Sequence, residues 1–190
     1  MLMSERAMEL LEETSPAFLV NHCKRSHAWA VGLAKADGVT FDPELLAVAA
    51  LLHDLGLVYG IEDDKDFEVS GGDRASAFVR RHGWERPRAD LVAEIIRLHV
   101  AADIALEDGN EAYLLWHATG FDVTGHRFAD LPAEFIRTTL ADHPRLDFAH
   151  GFSCMFAEQA RLRPQSRAGD LVRGGIVGRI EDSPFDDPDG

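Results

Sequence analysis

The sequence predicts an all-α protein, and three observations support that prediction. Apolar residues recur with the period of an α-helix along almost the whole chain. No stretch of useful length alternates apolar and polar residues as a strand would, and no internal repeat is present. Helix-starting pairs such as Asp42-Pro43 and helix-ending glycines such as Gly38 and Gly83 separate the periodic segments. The length of 190 residues and the hydrophobic fraction of 46% fit one globular domain.

Capping residues indicate where the early helices begin. Ser15 followed by Pro16 suits the N-cap and first turn of one helix, and Asp42 followed by Pro43 suits those of the next. Glycines such as Gly56 end helices because they adopt the left-handed backbone easily. The helices expected in this part of the chain cover about residues 5–13, 15–37 and 42–56.

Five further helices are expected downstream. The acid-rich segment from Tyr59 to Gly72 reads as a long loop that precedes them. Proline or an N-cap residue stands near the start of several of the later helices. They are expected at about residues 73–82, 87–100, 110–118, 131–141 and 147–162.

The composition changes after Pro164. The segment PQSRAGDLVRGGIVGRIEDSPFDDPDG is rich in Gly, Pro and Asp, and its last ten residues hold five acids and no base. Such a composition favours extended or disordered chain. We therefore expect a helical domain over residues 1–163 and an irregular acidic tail over residues 164–190, in which LVRGGIVGRI can dock on the domain or on a partner.

The charge argues against nucleic acid as a partner. The net charge is −14, which would repel a phosphate backbone. The one basic run, formed by Arg80, Arg81, Arg86 and Arg88, is interrupted by Glu85 and reads as a solvated helix end. A small-molecule substrate is the expected partner, and homo-oligomerisation stays open.

Membrane and secretory locations are not expected. The longest clean apolar run, Leu45 to Leu52, is far shorter than the roughly 18–20 residues that span a bilayer. The opening MLMSERAMELLEE carries acids early and has no apolar core, so it does not read as a signal peptide. Two cysteines, Cys23 and Cys154, make no disulfide framework. A cytoplasmic, reducing compartment fits these features.

The stretch AVAALLHDLGLVYG contains the feature that needs a chemical explanation. A helix of Ala, Val and Leu has no structural need for His53 beside Asp54. A carboxylate at the C-terminal end of a helix also opposes the helix dipole, so Asp54 needs a compensating cation. A buried histidine bonded to a backbone carbonyl, with Asp54 facing solvent, is the structural alternative.

Two more residues extend this pair to a candidate metal site. His22 lies one helix earlier, and Asp122 lies far downstream in WHATGFDVTGHR. The side chains of His53 and Asp54 point about 100° apart but can converge on an ion just beyond the helix end. Two imidazoles and two carboxylates suit zinc, manganese, iron or nickel, and we favour zinc. A satisfied core histidine at His22 and a turn residue at Asp122 are the alternatives.

One histidine, a His-Asp pair about thirty residues later and a distant aspartate on a helical chain resemble the HD superfamily of metal-dependent hydrolases. FLVNHCKRSHAWAVGLAKADGVTFDPELLAVAALLHDLGLV, FEVSGGDRASAFVRRHG, IIRLHVA, HATGFDVTG and LPAEFIRTTLADHPRLDF are similar to the cyanamide-hydratase-like HD proteins. The resemblance covers roughly residues 16–163. It implies that His22, His53, Asp54 and Asp122 bind a divalent metal, with an activated water as nucleophile. Cys23 departs from the family, which often has Ser there.

The resemblance implies a hydratase that adds water to a nitrile-type carbon, as in the conversion of cyanamide to urea. The nitrogen must then gain a proton, and His99 is the first candidate to supply it, so His53, Asp54 and His99 are the expected catalytic residues. Glu68 and Asp73 are expected to hold polar groups of the substrate.

A phosphohydrolase acting on a nucleotide or phosphate monoester is the alternative, and it would use Lys24 and Arg25 next to a proposed ligand. The acidic residues Glu62, Asp63, Asp64 and Asp66 would repel a polyanion and favour a small neutral substrate. A binding module without turnover is disfavoured because all four ligand positions are intact.

The cavity should separate the two reactions. A hydratase predicts a small dry pocket lined by apolar residues such as Phe67, Leu98 and Leu115. A phosphohydrolase predicts Lys and Arg clustered at the pocket mouth.

Overall fold

Helices account for all the regular structure in the computed structural model, which describes residues 1–59 and 64–185. Within those residues there are eleven α-helices, two short 3-10 turns and no strand, so the all-α prediction is confirmed. The helices are α1 (Met3–Thr14), α2 (Ala17–Asp37), α3 (Pro43–Leu52), α4 (Leu55–Tyr59), α5 (Phe67–Arg81), α6 (Arg86–Leu98), α7 (Asn110–Thr124), α8 (Ala133–Asp142), α9 (Phe148–Leu162), α10 (Arg167–Arg173) and α11 (Ile176–Glu181).

The predicted capping residues act as expected in α3 and at the end of α2. Asp42 Oδ1 accepts hydrogen bonds from the backbone N–H groups of Glu44 and Leu45, both at 3.0 Å. Gly38 ends α2 in the left-handed conformation with φ of 68°. Ser15 is not the N-cap of α2; Pro16 holds that position, and the Ser15 backbone N–H instead donates to Leu11 at the end of α1.

α5 begins six residues before its expected start at Asp73. Gly71 and Gly72 predicted a loop, but both lie inside α5, where the missing side chain permits close packing. A Cβ on Gly72 would lie 2.8 Å from the carbonyl oxygen of Ala93 in α6, and one on Gly71 would lie 3.0 Å from the backbone nitrogen of Gly56 in α4. Of the predicted acidic loop, Glu62 and Asp63 lie outside the described residues.

α3 stops earlier than expected, and this positions the His-Asp pair. The helix ends at Leu52, and the chain resumes as the short helix α4 at Leu55. His53 and Asp54 occupy the turn between them. α3 itself is buried on almost every side, from Leu45 to Leu52, and so forms the centre of the core. The pair is therefore carried into the protein interior.

The C-terminal segment differs from the irregular tail that its composition predicted. Residues 167–181 form α10 and α11, and Ala168, Ile176 and Ile180 are buried. They join a second apolar cluster with Phe152 and Phe156 of α9. Ile176 and Ile180 are four residues apart, so both face the same side of α11 and give it an apolar anchor. Residues 186–190 lie outside the described part of the chain.

Among the described residues, no helix combines the length and the apolar character that crossing a membrane requires.

Substitution of Gly56 by Ala should destabilise the fold strongly. A Cβ there would overlap the carbonyl oxygen of Phe67 and lie 2.9 Å from the backbone nitrogen of Gly71, so α4 and α5 would have to separate. We expect a loss of roughly 3 kcal/mol in the free energy of unfolding, measured by urea denaturation. Gly178→Ala is the matched control, because no atom lies within 4 Å of its added Cβ. The control should gain about 0.5–1 kcal/mol, as Ala does over Gly in a helix interior. Equal stability of the two variants would contradict this account of the close packing.

Candidate metal centre

Three side chains from two elements meet in the protein interior. His22 comes from α2, while His53 and Asp54 come from the turn after α3, and all three are at most 2% exposed. His22 Nε2 lies 3.1 Å from His53 Nε2 and 3.3 Å from Asp54 Oδ2. His53 Nε2 lies 3.2 Å from the same oxygen. One ligand atom from each residue falls within 4.8 Å of the others, which is compatible with a single metal ion.

The Asp54 carboxylate lacks a conventional partner. Neither of its oxygens accepts a hydrogen bond, although both are buried. Burial opposes ionisation, yet the surrounding imidazoles, His53 foremost, hold the pKa of Asp54 well below its usual range. The direction of this shift corresponds to a carboxylate anion in a buried place. Such a group is stable only when a cation compensates it.

The far side of each imidazole is tethered. The Nδ1–H of His22 donates to Asp122 Oδ2 at 2.7 Å, that of His53 donates to the carbonyl of Ala50 at 2.8 Å, and that of His99 donates to the carbonyl of Ile96. Because Nδ1 is the donor in each ring, the Nε2 atom is the one that can present a lone pair to a metal ion. Metal-binding histidines are typically oriented in this way, by a carbonyl or a carboxylate on the other ring nitrogen.

The two facing lone pairs of His22 and His53 require a positive charge between them. Burial opposes protonation of His22, but the carboxylates of Asp122 and Asp54 outweigh it and raise the pKa of His22. A proton and a metal ion therefore compete for this place. The orphaned carboxylate and the paired imidazole lone pairs fit a divalent cation.

His99 completes the ring around the carboxylate. Its Nε2 lies 3.6 Å from Asp54 Oδ1, and its ring packs edge-to-face against His53 with centroids 4.9 Å apart. The ring packs edge-to-face against Phe67, with centroids 5.6 Å apart. His99 is not part of the three-residue cluster, but it faces the same carboxylate. The structure thus brings the predicted proton donor to the candidate metal centre.

Asp122 lies behind His22, not beside the other predicted ligands. Both of its oxygens are occupied: Oδ1 accepts from Arg25 Nε and Trp29 Nε1, each at 2.7 Å, and Oδ2 accepts from Arg25 Nη2 and His22 Nδ1. Burial disfavours the charge of Asp122, but Arg25 and His22 overcome it and hold the pKa well below its usual range. In this arrangement Asp122 orients His22 and lies outside the three-residue cluster, so its role as a ligand stays a prediction.

The sequence contained a signal for this arrangement that was missed. His22, Arg25 and Trp29 are spaced by three and four residues, which places them on one face of α2. A basic residue, an indole and an imidazole on one buried face need a shared acceptor, and Asp122 in α7 is that acceptor. α7 also extends to Thr124, past the expected end at Ala118, so Asp122 lies on a helix and not in a turn.

A cavity of about 350 Å³ opens onto the cluster. His22, His53, Asp54 and His99 line its innermost part. Apolar side chains form most of its walls, and Arg167 and Arg179 also line it. The apolar lining residues are Val100, Ala101, Trp116, Val123, Phe152, Phe156, Leu171 and Ile176.

The expectation of an apolar cavity agrees with the structure, but the residues named for it do not. Phe67, Leu98 and Leu115 are absent from the lining. Phe67 and Leu115 are fully buried in the two apolar clusters, and Leu98 packs against the larger cluster. α9, α10 and α11 supply much of the wall instead, because the segment predicted as a tail folds against α9.

The structure does not bring the predicted substrate-binding residues into this cavity. Lys24 pairs with Glu12 at 2.7 Å on the outer face of α2. Asp73 pairs with Lys65 and Arg97, because it faces outward from α5. Glu68 is buried near His99, and one carboxylate oxygen has no hydrogen-bond partner. Burial raises the pKa of Glu68.

The sequence model of the HD domain matches residues 19–130 of the chain. The chain belongs to the HD domain family. HD domains are metal-dependent hydrolase-type enzymes that bind divalent metals, and the matched region contains His22, His53, Asp54 and Asp122. The match ends before α8, so the helices that complete the cavity lie outside it. No curated protein matches the chain, and the closer likeness to cyanamide-hydratase-like proteins stays a prediction.

Asp54→Asn should abolish metal binding. The amide keeps the shape of the side chain but removes the charge and one acceptor from the cluster. We expect roughly one divalent metal ion per wild-type chain, as a single three-ligand cluster would hold, and almost none in the variant. Elemental analysis of protein dialysed after metal loading measures this. Asp73→Asn, which removes a carboxylate already paired with Lys65 and Arg97, should keep the wild-type metal content. A full metal complement in Asp54→Asn would contradict the assignment.

Asp122→Asn should weaken metal binding and destabilise the fold. Loss of the charge frees the His22 ring and leaves the buried Arg25 without its counter-ion. We expect metal affinity to fall roughly 10–100-fold. The free energy of unfolding of the metal-free protein should fall by about 3 kcal/mol at pH 7.

The loss of stability in Asp122→Asn should depend on pH in a defined direction. Because the pKa of Asp122 is depressed in the folded state, its stabilisation is present above the unfolded-state pKa of about 4 and is lost at lower pH. The difference between wild type and Asp122→Asn should therefore shrink as the pH falls below about 4. Asp37→Asn breaks a more exposed pair with Arg127 and should cost less than about 1 kcal/mol. Equal effects at the two positions would contradict the role given to Asp122.

Proposed function

We propose that the protein is a metal-dependent hydratase or hydrolase that acts on a small organic molecule, with His22, His53 and Asp54 as the metal ligands. The observation that carries the proposal is the buried, hydrogen-bond-free Asp54 carboxylate, which faces imidazole nitrogens at the inner end of an apolar cavity. Zinc is the favoured metal for two nitrogen donors and one oxygen donor, with iron, manganese or nickel as alternatives. A divalent metal at this place lowers the pKa of water, so that water can act as a nucleophile near neutral pH.

The chain's own residues have distinct parts in this reaction. His22 and His53 direct their Nε2 lone pairs to one point because Asp122 and Ala50 hold their other ring nitrogens. His99 is held with its Nε2 toward the same region and is free to accept a proton there. It can take a proton from the attacking water and then return it, as imidazolium, to a substrate atom.

Hydration of a nitrile-type carbon is the first candidate reaction. Water adds across the carbon–nitrogen triple bond: oxygen bonds to carbon, and nitrogen gains the proton that His99 carries. The apolar walls, including Phe152 and Phe156, suit a substrate without many charges. Lys24 and Arg25, which a phosphohydrolase would use, do not line the cavity, because they pair with Glu12 and Asp122. Cyanamide is the simplest member of this substrate class.

Phosphomonoester hydrolysis is the second candidate, and one observation favours it. Arg167 and Arg179 line the cavity, and guanidinium groups bind phosphate oxygens well. The two reactions are separated by assaying metal-loaded protein with cyanamide for urea and with phosphate monoesters for inorganic phosphate. Urea formation supports the hydratase, and phosphate release alone assigns the phosphohydrolase. Neither product, across a range of nitriles and monoesters, would contradict the proposed reaction classes.

His99→Ala should keep the metal and lose activity. The three ligands stay in place, but no group remains to carry the proton, so we expect kcat to fall roughly 10²–10⁴-fold. Elemental analysis and the urea assay on the same preparation measure both quantities. Lys24→Ala removes only a partly exposed ion pair and should change kcat less than about twofold for an uncharged substrate. Loss of the metal in His99→Ala would contradict the proton-carrier role and make His99 a ligand.

A further inference from the structure

We infer that Arg167 and Arg179 form an anion-binding site at the mouth of the cavity, so that the substrate is a small apolar molecule with a carboxylate or phosphate at the end remote from the reacting atom. This inference rests on the proposed function and names its substrate class. Both arginines lie beyond residues 19–130, the region shared with the HD domain family.

α10 and α11 form part of the cavity wall and are not a separate appendage. Leu171 of α10 and Ile176 of α11 line the cavity together with Phe152 and Phe156 of α9. Ile180 is fully buried and anchors α11. The two arginines are thus carried on helices that pack into the domain, which fixes the position of their backbones beside the cavity.

The guanidinium of Arg167 is held by a hydrogen bond from its Nε atom. Its Nε–H donates to the carbonyl of Val100 at 2.6 Å, and Val100 also lines the cavity. Neither Nη atom forms a hydrogen bond or a close ion pair with a described residue, although the charge of Arg167 acts on the buried Glu68 carboxylate to lower the pKa that burial raises. A guanidinium held through Nε keeps its two Nη groups available as a planar pair of donors, the geometry that binds an oxyanion in bidentate fashion.

Arg179 has no counter-ion in the described part of the chain. Its guanidinium forms no hydrogen bond or ion pair there. Other exposed arginines on short helical spacings are paired, such as Arg173 with Asp170 and Arg161 with Glu158. Arg6, Arg80 and Arg81 also form no ion pair among the described residues, but they do not line the cavity that opens onto Asp54, whereas Arg179 does. No described carboxylate therefore competes with a ligand for the charge of Arg179.

The different depths of the lining residues set the orientation of the ligand in the cavity. Asp54 is only 2% exposed and is the single carboxylate among the lining residues that the structure describes, whereas Arg179 is exposed. Apolar side chains such as Phe152 and Phe156 also line the cavity. A ligand with its anionic end on the arginines, its apolar body along these walls and its reacting group inside matches these three parts of the lining. An uncharged ligand as small as cyanamide would leave both guanidinium groups unused.

The test compares a carboxylate with its uncharged isostere. Metal-loaded full-length protein is titrated by calorimetry with phenylacetate and with phenylacetamide. We expect wild-type protein to bind the acid roughly tenfold more tightly than the amide, as a charge-assisted hydrogen bond provides. Arg179→Gln and Arg167→Gln should each remove most of that preference. Arg173→Gln, on α10 but outside the lining, should retain it.

Because Arg167 also holds Val100, the exposed Arg179→Gln is the decisive variant, and its thermal unfolding should match wild type. Benzylphosphonate forms a second arm: tighter binding than phenylacetate assigns a phosphate-bearing substrate, and weaker binding assigns a carboxylate. In both cases the difference between wild type and Arg179→Gln must be present.

The same titrations on metal-depleted protein separate the two proposals. If the preference for the acid is unchanged in Arg179→Gln and disappears when the metal is removed, the anion binds the metal; this overturns the inference and leaves the proposed function standing. Equal binding of acid and amide to wild type also overturns it. If the protein takes up no metal, the proposed function fails, while a preference that is lost in Arg179→Gln would still support the anion site.

Discussion

The buried Asp54 carboxylate is the constraint on which the rest of the site depends. It has no hydrogen-bond donor and is almost fully buried, yet the neighbouring imidazoles hold its pKa well below the usual range. Three imidazoles point at it through their Nε2 atoms, and each is tethered on its other side. A single positive charge among these groups satisfies the carboxylate and the lone pairs together. Without that charge, the arrangement would be unstable in a low-dielectric interior.

A series of buried groups of alternating charge fixes the orientation of the His22 imidazole. Behind His22 stands Asp122, and behind Asp122 stands Arg25, which is fully buried and also held by the carbonyls of His143 and Pro144. Successive ion pairs and hydrogen bonds thus reach from the candidate metal centre to the loop before α9. α9 in turn supplies aromatic side chains to the cavity. The orientation of one imidazole and the shape of the substrate cavity therefore depend on the same elements.

How far the sequence predicts this structure depends on whether a signal is local. An imidazole and a carboxylate at the end of the apolar helix α3 oppose the helix dipole, so His53 and Asp54 could be singled out from the sequence alone. Gly71 and Gly72 could not be read correctly, because glycine favours both loops and close helix packing, and only the neighbouring helix decides between them. The hydrogen bond between Asp122 and His22 could not be read from the sequence, since its two residues are about 100 positions apart, and metal ligation by Asp122 stays a prediction. The helices of the C-terminal segment were missed because their stability comes from packing on α9, not from helix propensity.

Anomalous X-ray diffraction from crystals of the metal-loaded protein tests the central claim most directly. Data collected on both sides of the absorption edge of the loaded metal locate the ion without reference to activity. The account predicts one strong anomalous peak within coordination distance of His22 Nε2, His53 Nε2 and an Asp54 oxygen, about 2.0–2.2 Å for zinc. A peak bound by other residues, or no peak in protein that has been loaded with metal, would contradict it.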